Sequence, residues 1–122
     1  MLVATIRPEF VLEHAPSGIV ITDAEWRIRY VNGTLLHAIH CAAEDLMGEH
    51  LLVAVTKIPH HGALDEMVHC LVRLTGSPPA QLDSRIVPVK LPARKFLRVH
   101  AMPFCPPDSP PGYYLTFTDA TR

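Results

Sequence analysis

One stretch of the chain spaces its side chains as a metal would require. His61, Asp65 and His69 stand at i, i+4 and i+8, which puts them in one row on a helix face. Two imidazoles and a carboxylate are donors that a divalent ion accepts, but two further ligands would have to come from elsewhere and no spacing names them. A solvated helix face with local contacts accounts for the row as it stands. Cys41, Cys70 and Cys105 are odd in number, widely spaced and outside any CxxC pair. Neither a zinc site nor a disulfide framework is indicated, and a reduced, cytoplasmic setting is expected. Cysteines of this kind behave as small hydrophobes when buried. The chain has no GxSxG, no phosphate-cradling glycine loop and no HExxH, and no spacing of His, Asp and Ser selects a triad. The expectation is a protein that is not an enzyme and binds no metal.

The bulk numbers narrow the classes further. A chain of 122 residues suits one domain, and 48% apolar against 19% charged residues is globular composition, which excludes disorder. No run approaches the ~18 apolar residues of a membrane span, and MLVATIRPEF lacks the layout of a signal peptide. A net charge of −1 leaves no basic footprint for nucleic acid, so no direct contact with it is expected.

The elements that must position any site follow from pattern. PEFVLEHA, opened by Pro8, reads as a short helix. Gly18–Thr22 and Arg27–Val31 read as strands joined by a tight turn, and Asn32 is placed to cap the helical run that continues to about Cys41. A small helix is expected over Ala43–Met47, ended by Gly48. The longest helix should run from about His60 to Leu74, with Leu64, Met67, Val68, Leu71 and Leu74 in one sector, and Gly76 with Pro78–Pro79 stops it. Three strands complete the chain, over about Gln81–Leu91, Lys95–Met102 and Gly112–Thr118. The last two alternate with period two, Leu97, Val99 and Ala101 on one face of the first, Tyr113, Leu115 and Phe117 on one face of the second. Between them CPPDSPPG is a stiff surface loop. Two strands, small helices, a long helix and three strands make an antiparallel α+β domain.

That order resembles the PAS domain, a five-stranded antiparallel sheet with helices on one face. HAPSGIVITDAEWRIRYVN is similar to the family's first hairpin, AAEDLMGEHL to the stretch that leads toward its long helix, and FTDATR to the junction that closes it. The chain departs from the family's pattern at Trp26, where Gly is common, and at Ile39, His40 and Cys41, where Phe-Gly-aromatic is common. The resemblance implies an N-terminal helical cap over 1–16, a core over 17–119 and the start of a linker to an absent effector over 120–122.

It also implies a function: a cytoplasmic, bacterial-type sensor that regulates an attached signalling or transcriptional effector, binding a small molecule in an apolar pocket. In the family the pocket lies between sheet and long helix. By strand alternation Val20, Leu97, Val99, Ala101, Tyr113, Leu115 and Phe117 would face it, with Leu64, Val68 and Leu71 opposite, and Ala101 as the small member leaving space. A dry core is the competing reading. A ligand-free homodimerisation module, using Phe10, Val11 and Leu12, is the alternative function. A haem sensor is the second alternative, but His69 points away from the apolar stripe, and His61 starts the long helix rather than occupying its middle. The Asn-Cys-Arg-Phe motif of covalent flavin binders is absent, so the cofactor is left open, with haem and flavin disfavoured.

Overall fold

Asp23 and Asn32 bracket the first hairpin and organise what surrounds it. In the computed structural model, which describes residues 15–58, 65–76, 84–90, 94–105, 107–108 and 110–119, strand β1 (Gly18–Asp23) pairs antiparallel with β2 (Ile28–Val31). Asp23 Oδ1 accepts hydrogen bonds from the backbone N–H groups of Glu25 and Arg27, both at 2.9 Å, so the side chain supplies the turn. Trp26 takes the left-handed position in that turn at φ +65°. Asn32 is fully buried, and its Oδ1 accepts from Ile19 N at 2.9 Å and from Leu35 N at 3.1 Å, while its Nδ2 donates to Ser17 O at 2.9 Å. One side chain thus caps helix α1 (Gly33–Ile39) and ties it to β1.

Short helices α2 (Ala43–Leu46) and α3 (Leu51–Val55) follow. The chain between them pairs with the hairpin: Gly48 N donates to Ile28 O, Ile28 N to Glu49 O, and Leu51 N to Trp26 O, at 2.8–2.9 Å. His50 caps α3 through its ring, Nδ1 accepting from Leu52 N at 3.1 Å. Helix α3 was not expected from the sequence. Helix α4 (Asp65–Thr75) buries Met67, Cys70, Leu71 and Leu74 and leaves Val68 half-buried. The expected start of this helix at 60–64, with Leu64, His60 and His61, lies outside the described residues, as do residues 1–14 of the helical cap expected over 1–16 and the residues 120–122.

Strands β3 (Ser84–Lys90), β4 (Arg94–Phe104) and β5 (Gly112–Asp119) complete a five-stranded sheet of order β2-β1-β5-β4-β3, every neighbour antiparallel. Pro88 sits in the edge strand β3, where a missing N–H is tolerated. Pro103 pairs with Tyr113 of β5. Gly112 packs against β1 so closely that a Cβ would stand 1.9 Å from Thr22 O. Register aligns Val31, Val20, Leu115 and Ala101 in one row across four strands, with Val99 and Phe117 paired in the next. This face, together with the four helices, forms the core.

Candidate functional site

Helices α1 and α3 stand over the inner sheet face without filling the space beneath them. Helix α1 lies tight on β1, where a Cβ on Gly18 would meet Leu35 at 3.0 Å, yet it buries no residue completely. Under it is a cavity of about 410 Å³, within the range of small-molecule sites. Its floor is Val20 of β1 with Ile28 and Val31 of β2, all buried. Leu46 of α2 and Leu51, Ala54 and Val55 of α3 form one wall, Met67 and Leu71 of α4 another. Leu97 and Phe117 border it from the far strands.

Among the described lining residues polarity is confined to the rim. Of the lining residues, Pro16, His37, Ala38, His40 and Asp119 are exposed and Thr34 is half-buried. Every deep wall residue is aliphatic or methionine. Thr34 Oγ1 donates to Ala15 O and His40 ends α1 in the left-handed region at φ +56°, so both ends of the rim helix are fixed. Beside α3, Lys57 Nζ meets Glu49 Oε2 at 2.5 Å, and the hydrogen bond and charge of Lys57 hold the Glu49 carboxyl below its ordinary range. Burial, then the charge of Asp45, push the Cys41 thiol up, and its Sγ lies 3.9 Å from Lys57 O.

The residues expected from the sequence fall in three places. Val20, Leu71, Leu97 and Phe117 line the cavity. Val99, Ala101 and Leu115 are on the same sheet face but are almost wholly enclosed by the core and do not reach it. The small wall residue is Ala54 rather than Ala101. Tyr113 stacks on Trp26, ring centroids 3.7 Å apart, and Val68 packs half-buried against the core. Leu64 lies outside the described residues. Sequence reasoning missed the contributions of α1 and α3, chiefly Leu35, Ile39, Leu51, Ala54 and Val55.

The described lining holds His37 and His40 at its rim, but neither a histidine of α4 nor a cysteine. A haem held from α4 finds no histidine there, since His69 is exposed and outside the lining. A thiol-linked flavin finds no cysteine, because neither Cys41 nor Cys70 borders the cavity. Among the described residues no group of three or more His, Cys, Asp or Glu can hold a metal ion, and no helix is long and apolar enough to cross a membrane. Cys41, Cys70 and Cys105 are in no disulfide.

Residues 12–122 match the family described as the PAS fold. Over 61 residues the chain is 36% identical to the sensor protein kinase WalK of Staphylococcus saprophyticus, a match that takes in 50% of this chain and 10% of that protein, so the chain spans a tenth of that curated relative. Among solved structures it is similar to the PAS domain of BvgS from Bordetella pertussis, with TM-score 0.60 and 17% identity over 93% of this chain and 84% of that one. The PAS domain of a LuxR-family transcriptional regulator from Burkholderia thailandensis, solved in complex with ethanol, gives 0.59 and 22% over 94% and 98%. VqmA of Vibrio cholerae, described as a dimer, gives 0.64 and 15% over 92% and 49%. At these identities the structural likeness concerns the fold.

Proposed function

The chain belongs to the PAS fold family, and on that premise we propose that it is a cytoplasmic sensory module whose cavity takes a small molecule and biases an attached signalling or transcriptional effector. The observation that carries this reading is the cavity of about 410 Å³ between the inner sheet face and the helices, apolar in depth and polar at its rim. A packed domain with no sensing role would close such a space, because empty volume forfeits contacts on every wall. A bound molecule acts on the effector only through a difference in its affinity for two packings of the domain. Helix α1, tied to β1 by Asn32 and yet without a fully buried residue, is the wall best placed to differ between them.

Three cysteines outside any disulfide support the cytoplasmic placement. Relatives described as a sensor kinase and as transcriptional regulators support the assignment to signalling. Calorimetric titration with a panel of small apolar and amphipathic compounds, joined to mass spectrometry of what co-purifies, tests the reading. Saturable binding that Ala54→Leu weakens is expected. Absence of any binding and of any co-purifying molecule would contradict it.

The outer sheet face favours a second reading, in which the domain pairs with another copy. Ile86, Phe96 and Met102 stand exposed there, at 55%, 40% and 41%. Light scattering on a Phe96→Asp, Ile86→Asp variant should then show a lower mass than the unaltered chain, and an unchanged mass removes this face from the reading.

A further inference from the structure

The distribution of polarity around the cavity restricts its occupant. Among the described residues the deep wall, from Val20 and Ile28 to Leu51, Val55 and Leu71, offers no hydrogen-bonding side chain. No buried side-chain N or O among the described residues lacks a partner, so nothing in the depth asks for a polar ligand atom. A hydroxyl or amide driven there would be desolvated without recompense, costing about 1–3 kcal/mol. Among the described lining residues Phe117 is the only Phe, Tyr or Trp, and the imidazoles of His37 and His40 lie at the exposed rim, so the depth offers little to stack a planar heterocycle. Donors and acceptors gather instead at one edge, in Thr34, His37 and His40 of α1 and Asp119 at the end of β5. Among the described lining residues Asp119 alone carries a fixed charge, and its negative sign disfavours an anionic end there.

From this segregation we propose that the occupant is an aliphatic amphiphile with a single uncharged hydrogen-bonding end, its tail in the depth and its head between α1 and Asp119. The proposal rests on the reading that the cavity receives a small molecule, and adds the class and the orientation. At about 30 Å³ for each water-sized group, a volume of about 410 Å³ holds roughly fourteen such groups, room for a tail of about ten carbons with its polar end. Such a tail would run from the rim at His37 past Val20 toward Ala54.

The probes are 1-hexanol, 1-octanol, 1-decanol, decane-1,10-diol and decanoate, titrated calorimetrically below the concentrations at which they self-associate. Affinity is expected to rise about fifteen-fold for every two carbons, from the value of ~0.8 kcal/mol for each buried methylene. The diol, which must bury its second hydroxyl, should bind at least about tenfold more weakly than decanol, and decanoate more weakly than decanol as well. Ala54→Leu, which shortens the cavity, should weaken decanol more than hexanol. A flat chain-length series, a diol equal to decanol, or decanoate as the tightest probe would each overturn the assignment. Indole and naphthalene are titrated alongside. If these bind in an Ala54-sensitive way while the alcohols do not, the class is wrong and the cavity reading stands; if neither set binds, both fail.

Discussion

Trp26 lies flat on Tyr113, the planes 4° apart and the ring centroids 3.7 Å, although the Trp26 backbone occupies the left-handed region at φ +65°. A residue with a side chain gives up about 1–2 kcal/mol there, which is why glycine is usual at such a turn. Here burial of the indole, only 6% exposed, outweighs that cost. Trp26→Ala should destabilise the domain by about 3–5 kcal/mol, and Trp26→Gly by roughly 1 kcal/mol less, because glycine relieves the backbone. Urea denaturation of both variants checks the order; a glycine variant less stable than the alanine one would show that the turn carries no strain.

Asn32 bridges β1 and α1, and its removal orphans Ile19 N in the interior while uncapping Leu35 N. Asn32→Ala is expected to cost about 3 kcal/mol. Asn32→Ser should fall between the two, since a short hydroxyl can cap Leu35 but cannot also span to Ile19. Thermal unfolding of the pair measures this, and equal losses would mean that the cap alone matters.

Gly112 admits no side chain. A Cβ would overlap Thr22 O at 1.9 Å, and both atoms belong to paired backbones that have no room to part. Gly112→Ala should lose more than about 3 kcal/mol or fail to accumulate in folded form. Wild-type stability in this variant would place β1 and β5 further apart than described.

Glu49 is a half-buried carboxylate paired with Lys57. Lys57 lowers its pKa in the folded domain, so the ion pair contributes above the carboxyl's unfolded pKa, and the contribution is lost as pH falls through the folded value. In Lys57→Met the carboxyl midpoint should rise toward its ordinary range, and added salt should have the same effect in the unaltered chain. Carbon-detected NMR titration of the side-chain carboxyl reads both; an unmoved midpoint would mean that Lys57 does not engage it in solution.

The sheet was legible because its strands alternate. Leu97, Val99 and Ala101, and Tyr113, Leu115 and Phe117, share the inner face as their period-two pattern indicates. Asp23 and Asn32 were legible because turn and cap chemistry is local. The cavity was less so. LLVAV at 51–55 is an unbroken apolar run without period, which does not distinguish a buried helix from a strand, so α3 and its wall residues went unseen. Nor does alternation tell depth along a strand: Val99 and Phe117 pair across β4 and β5, yet only Phe117 reaches the empty space. Trp26 reads in sequence as an oddity in a turn, and its role appears only when Tyr113, distant in sequence, arrives beneath it.

Xenon probes the apolar, accessible space beneath α1 most directly and without presupposing a ligand, since dry apolar cavities bind it. Methyl-resolved NMR under xenon pressure should show saturable shifts at Val20, Ile28, Leu51, Val55 and Leu71, with Val53 and Val72 on the exposed helix faces unmoved and the response reduced in Ala54→Leu. Shifts confined to the exposed methyls, or none at all, would contradict the presence of that space.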